Sequence, residues 1–154
     1  MFQKKIIFLF LLLLSSCGYE AIHSKKNLIK YNFTINSLNF NGDRDVNLKI
    51  KEKLNNYMLD KKSKSFGLKI SSTSKKVITA KNTAGETTSF QNTISLNVEV
   101  SMNNEFKNSF VIIEKFNYNN AADKFDLKRY EREIKNNLAI SATNRLIFKL
   151  SNIQ

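Results

Sequence analysis

The feature that most constrains the fold is a stretch at residues 93–102 in which apolar and polar side chains alternate. Its apolar members are Ile94, Leu96, Val98, Val100 and Met102. Successive side chains of a β-strand point to opposite faces of a sheet, so this pattern predicts a strand with one buried face and one face toward water. Asn103-Asn104 follows it and predicts a tight hairpin.

Three further stretches predict strands. Residues 31–40 alternate, but the apolar phase changes near Asn36-Ser37, which predicts a bulge. A second strand opens at Phe66 and continues through Val77 and Ile78, followed by a turn at residues 80–86. The fourth strand has a row of large apolar residues, with Val111 and Ile113 on its opposite face. That face is expected to be covered or to lie against a partner. The predicted row consists of Phe106, Phe110, Ile112, Phe116 and Tyr118.

Two stretches show helical spacing. Residues 44–59 follow Asp43, a good N-cap, and carry apolar residues at every fourth position, from Val46 to Met58. A longer helix begins near Asp123 and runs toward Leu150. Glu131 precedes Lys135 by four residues, which predicts a supporting ion pair on that helix. The apolar stripe of the longer helix consists of Leu127, Tyr130, Ile134, Leu138, Ala142, Leu146 and Leu150.

The order of elements predicts the fold class. Strand, helix, three strands and helix give a βαβββα order, in which the first helix connects two parallel strands and the later strands pair antiparallel. Each helix has a single apolar stripe, so both can be covered by one face of one sheet. We therefore predict an α+β two-layer sandwich: a four-stranded mixed sheet with two helices on one face.

The N-terminus predicts export and lipid attachment. Lys4 and Lys5 precede nine apolar residues, too few to span a bilayer, as in a secretory signal. Leu14-Ser15-Ser16-Cys17 then resembles the lipobox of a bacterial lipoprotein, which implies cleavage before Cys17 and acylation of its thiol. Cys17 is the single cysteine of the chain, so it has no partner for a disulfide. We expect a signal peptide at 1–16, a lipidated tether at 17–30 and one domain at 31–154.

The charge of the chain bears on its partners. The formal net charge of +12 falls by two, to +10, once Lys4 and Lys5 leave with the signal peptide. In an exported, lipidated protein such a charge predicts contact with anionic lipid or lipopolysaccharide, and no nucleic acid. Lysine greatly outnumbers arginine, so part of the charge is also explained by composition alone.

The sequence lacks the patterns of an enzyme. His23 is the single histidine and lies in the expected tether, and no nucleophile elbow, phosphate-binding glycine loop or metal-ligand spacing occurs. Glu131 and Glu133 lie two residues apart on a helix and are expected to be solvated. We expect no catalytic residues, no cofactor and no metal.

Three lysines are the candidate binding residues. Lys75, Lys76 and Lys81 flank the turn at 80–86, so a long hairpin would present them at one end of the sheet. There they could hold the phosphates of lipopolysaccharide. The alternative is that they are solvated residues of a lysine-rich loop.

These features together resemble the family of the LPS-assembly lipoprotein LptE. The resemblance rests on the segment from Leu14 to Tyr19, the βαβββα order, the polar turn before the alternating strand and a closing helix. It differs in that Glu20-Ala21-Ile22 follows Tyr19 where the family often has a proline.

The resemblance implies a non-enzymatic function. It implies a lipoprotein anchored on the periplasmic side of the outer membrane, which acts as partner and plug of an LptD-type barrel in lipopolysaccharide assembly. Gly18 after the cysteine is consistent with sorting to the outer membrane. The alternative is a lipid-anchored interaction module of another envelope complex, serving barrel assembly or export.

Overall fold

The computed structural model describes residues 31–59 and 61–153. The expected signal peptide, Cys17, His23 and the tether lie outside these residues. Within them the elements follow the predicted order: β1 (Phe33–Gly42), α1 (Arg44–Leu54) with a 3₁₀ turn (Asn55–Tyr57), β2 (Lys64–Lys81), β3 (Thr87–Met102), β4 (Glu105–Asn119) and α2 (Lys124–Ser151).

The four strands form one mixed sheet in the order β1-β2-β3-β4. β1 and β2 run parallel, and the pairs β2–β3 and β3–β4 are antiparallel. α1 packs on β1 and β2, α2 packs on β3 and β4, and the helices contact each other. The predicted α+β sandwich is confirmed.

The first helix ends earlier than predicted. Val46, Ile50 and Leu54 are buried as expected, but the helix tightens into a 3₁₀ turn after Leu54. Because a 3₁₀ helix has three residues per turn, the residues after Leu54 no longer lie on the apolar stripe of α1. The ring of Tyr57 then stacks on Phe33 at 4.9 Å between centroids, while Met58 is partly exposed.

The strand patterns are confirmed in β1 and β3. The β1–β2 register shifts between Ile35 and Ser37, where the bulge was predicted. On β3, Ile94 to Val100 are buried at every second position. Asn103 and Asn104 both have positive φ, at 53° and 65°, as in a two-residue hairpin of the type I′ class.

One residue of β4 lies on the face opposite to the one predicted. Ser101 pairs with Phe106 and Val100 pairs with Asn108, so Lys107 is an extra residue in β4. A single extra residue reverses the face of the side chains before it. Phe106 therefore points away from the helices, whereas Ile112 and Tyr118 face them and are buried.

α2 covers the second half of the sheet. Asp123 caps it by accepting the backbone N–H groups of Phe125 and Asp126. The predicted stripe is buried except for Tyr130, which is 45% exposed at the border of the interface. Its ring meets that of Tyr118 edge to face, at 6.0 Å between centroids.

Candidate functional site

The sheet face that points away from both helices has no covering element among residues 31–59 and 61–153. We call it the open face. Its centre is polar, because the water-facing positions of β3 from Thr93 to Ser101 carry hydroxyl, amide and carboxylate groups. Nearer the β2–β3 turn, cross-strand contacts join further polar groups: the hydroxyls of Thr79 and Ser89 are 2.7 Å apart, and the amide of Gln91 donates to Asn117 at 2.8 Å.

An apolar border runs along β4 on the same face. Val111 and Ile113 are 57% and 47% exposed, and Phe106 joins them because of the extra residue at Lys107. β4 is also the last strand of the sheet, so its outer edge has no strand partner in the described part of the chain. The open face thus combines a hydrogen-bonding centre with an exposed apolar border along β4.

The structure divides the three candidate lysines between faces. Lys75 pairs with Thr93 and lies on the open face, whereas its neighbour Lys76 pairs with Asn92 and lies on the helix side. Lys81 lies at the end of β2, beside the turn. The three residues therefore do not form one cluster, since adjacent residues of a strand point in opposite directions.

A fourth lysine, Lys115, lies near Lys75 on the open face. Lys115 of β4 also pairs with Thr93, so Lys75 and Lys115 flank that residue in one row across the open face. Two strand spacings separate their backbones by about 10 Å. The alternation of β4 places Lys115 on the same face as Val111 and Ile113, a signal present in the sequence but not used to predict this site.

Lys76 belongs to a network beneath the sheet. Its ammonium group forms an ion pair with Glu131 of α2 and lies 3.9 Å from the centroid of the Phe90 ring. Glu131 also accepts the hydroxyl of Tyr118 at 2.9 Å. Burial, and then the hydrogen bond to Glu131, raise the pKa of the Tyr118 phenol well above its ordinary range.

Two expectations about Glu131 were wrong. Its side chain is only 21% exposed, so it is not a solvated residue, and its ionic partner is Lys76 rather than Lys135. Lys135 pairs with Asp43 and Asp45 at the start of α1. Long side chains at a helix–sheet contact reach residues of other elements, which spacing along one helix does not reveal.

The turn between β2 and β3 is ordered by Asn82. Its side-chain oxygen accepts the backbone N–H groups of Ala84 and Glu86, at 3.0 and 2.9 Å. Gly85 has a φ of +81°, a backbone angle that glycine adopts readily in turns. The turn is therefore a fixed extension of the sheet, and it carries its own acid, Glu86, beside Lys81.

An open cavity of about 780 Å³ lies near this end of the sheet. The residues around it are mostly hydroxyl, amide and aromatic side chains. No group of three potential metal ligands occurs among the described residues. The lining residues include Thr79, Ser89, Asn117, Tyr118, Leu127 and Tyr130.

Neither helix of the described ranges is both long enough and apolar enough to cross a bilayer. α2 has the length, but charged residues recur along its water-facing side.

Compared by sequence, the chain matches no family model and no curated protein. Compared by structure, it is similar to rare lipoprotein B from Shewanella oneidensis, with a TM-score of 0.60 at 12% identity over 75% of this chain and 94% of that one. Lipoprotein B from Nitrosomonas europaea gives 0.58 at 11% identity, over 77% and 83% of the two chains.

A third solved structure, of a lipoprotein from Caulobacter crescentus, gives a TM-score of 0.53 at 10% identity over 74% of this chain and 87% of that one. At such low identities the likeness concerns the fold. The chain therefore shares its α+β sandwich with these three bacterial lipoproteins.

Proposed function

We propose that this protein is an outer-membrane lipoprotein that acts as partner and plug of an LptD-type barrel in lipopolysaccharide assembly. Acyl chains on Cys17 would hold it at the periplasmic side of the membrane. The observation that carries the proposal is the combination of Leu14-Ser15-Ser16-Cys17 with a fold shared by bacterial lipoproteins.

The open face is the surface that would contact the barrel wall. The inner wall of a wide barrel is polar, and the hydroxyl and amide groups of β3 are suited to hydrogen bonds with it. Along the apolar border, Val111 and Ile113 would lose their exposure to water in such a contact, which favours association.

Lipopolysaccharide is the second proposed partner. Lys75 and Lys115 lie in one row, and Lys81 stands near the turn. No ion pair involving these three lysines occurs within the described residues. They are therefore available to a ligand with several phosphates, whereas Lys76 is occupied by Glu131. We expect the first three to bind phosphate and Lys76 to support the fold.

Purification of the tagged, lipidated protein from envelope membranes tests the proposal. We expect a large outer-membrane barrel to be recovered with it. Val111→Asp should reduce that recovery, because it places a charge in the apolar border. Leu48→Asp is the matched control, since Leu48 is 55% exposed on the helix side and Val111 is 57% exposed. Recovery of a different envelope complex would instead support the alternative module.

A further inference from the structure

Most of the strands and helices begin or end at one end of the domain. β1 and β2 begin there in register, with Phe33 opposite Lys64. The ammonium group of Lys64 donates to the backbone oxygen of Ile153 at 2.9 Å, which brings the end of α2 to the same level. The β3–β4 hairpin and the end of α1 lie there too. Tyr31, the first described residue, precedes β1, so we call this the tether end.

Large apolar side chains are exposed at the tether end. Leu59 is 74% exposed, Phe106 69%, Phe148 59% and Met58 37%. They come from the segment after α1, the start of β4 and the last turn of α2. These side chains come from separate elements and are spread around one end of the domain. Such an arrangement fits a broad partner, such as a membrane surface, better than a single extended peptide.

Cations accompany these apolar side chains. Lys61, Lys107 and Lys149 lie at the tether end, and Lys149 stands 5.3 Å from the centroid of the Phe110 ring. Lys107, Phe148 and Lys149 line a cleft of about 540 Å³. Seven of the eleven described acids lie in the opposite half of the domain, namely Asp43, Asp45, Glu86, Asp123, Asp126, Glu131 and Glu133. Glu105 lies at the tether end beside Phe106, but cations outnumber acids there.

We propose that the tether end binds the surface of a bilayer containing anionic phospholipid. Phe106 and Phe148 enter the headgroup region, and Lys107 and Lys149 contact lipid phosphates. Alternation of bulky apolar and cationic side chains is the composition of surfaces that lie in a membrane interface. The inference deepens the proposed function and rests on its lipid anchor, because the fourteen residue-to-residue steps from Cys17 to Tyr31 can span at most about 50 Å.

Vesicle flotation with an unlipidated chain tests this contact separately from the anchor. The chain begins at residue 17 and carries Cys17→Ser, and the vesicles contain phosphatidylglycerol with phosphatidylethanolamine, or phosphatidylcholine alone. We expect binding to the anionic vesicles that falls with added salt. Lys107→Gln and Lys149→Gln should each weaken it about fivefold, as expected for a lysine near an anionic surface. Phe106→Ser with Phe148→Ser should weaken it further.

The control carries the same kinds of change elsewhere. Phe125 is 75% exposed and Lys128 is exposed near the start of α2, so Phe125→Ser with Lys128→Gln should leave vesicle binding unchanged. Equal loss in the control, or full binding by the tether-end variants, would overturn the inference. Because the vesicles contain no barrel, such a result leaves the barrel purification above as an independent test of the proposed function.

Discussion

Lys135 of α2 and Asp43 before α1 form an ion pair, with 2.8 Å between Nζ and Oδ2. The other carboxylate oxygen of Asp43 accepts the backbone N–H of Val46 at 3.1 Å, which caps α1. One carboxylate therefore both begins the first helix and joins it to the second.

Two substitutions at Asp43 separate these roles. Asp43→Ala removes the cap and the ion pair, so we expect a loss of about 2 kcal/mol in the free energy of unfolding, measured with urea. Asp43→Asn keeps a good cap and should lose about 1 kcal/mol or less. Asp45→Ala is the comparison: it removes only the second contact of Lys135, and because Asp45 is 72% exposed we expect a loss of about 0.5 kcal/mol or less. A larger loss for Asp43→Asn than for Asp43→Ala would contradict this account.

The ion pair also predicts a dependence on pH. Burial raises the pKa of the Asp43 carboxyl, but the hydrogen bonds from Lys135 and Val46 outweigh burial and hold that pKa below its ordinary value. Stability from this group is therefore present at neutral pH and is lost as the pH falls through the folded pKa. The difference in unfolding free energy between the wild type and Asp43→Asn should be constant near neutrality and shrink below about pH 4. A constant difference in acid would argue against it.

Tyr118→Phe tests the network beneath the sheet. It removes one donor to Glu131 and should lower the free energy of unfolding by about 1 kcal/mol. Urea unfolding of both proteins near neutral pH measures the difference. Tyr130→Phe is the matched control, with an expected change within about 0.5 kcal/mol. Equal effects of the two substitutions would show that the hydroxyl of Tyr118 has no special role.

Gly42 and Gly85 offer a matched pair of backbone tests. Both have positive φ, but a Cβ at Gly42 would lie 1.9 Å from the backbone oxygen of Ser72, whereas a Cβ at Gly85 meets nothing within 4 Å. Gly85→Ala should cost about 1 kcal/mol from strain alone. Gly42→Ala should cost at least about 3 kcal/mol, because β1 must also shift from β2. Thermal unfolding of both variants is the measurement, and equal shifts would contradict it.

Binding of lipopolysaccharide should distinguish the lysines. Replacing Lys75, Lys81 and Lys115 together with Gln should weaken binding at least about tenfold at low salt. Lys76→Gln should have little effect on binding, because Glu131 already pairs with that residue. A salt titration of each variant measures the electrostatic part. Unchanged binding by the triple variant would remove the row and the turn from the site.

The fold could be predicted because its signals are local. Alternation in β3, the spacing of α1 and the turn residues Asn103 and Asn104 each depend on a few neighbouring side chains. The bulge in β1 was readable because the apolar phase changes there. The bulge at Lys107 could not be predicted, because an apolar residue such as Phe106 can lie on either face of the sheet. Its face is decided by the pairing of β4 with β3.

The candidate site was harder to predict because it depends on partners distant in sequence. The sequence alone does not show which of the adjacent lysines has an ionic partner. In the structure Lys75 lies on the open face, whereas Lys76 pairs with Glu131. The position of Lys115 opposite Thr93 depends on how β4 pairs with β3. Alternation along one strand indicates the face of a side chain, but the residues opposite it on other strands depend on register, which spacing along one segment does not determine.

β1 pairs with β2 only as far as Ser72, so the second half of β2 has a free outer edge among the described residues. An unpaired strand edge can add a strand from another molecule, which begins aggregation. Lys75, Lys76 and Lys81 all lie on this free stretch. Their long, charged side chains oppose edge-to-edge pairing, so losing all three should lower the solubility of the protein.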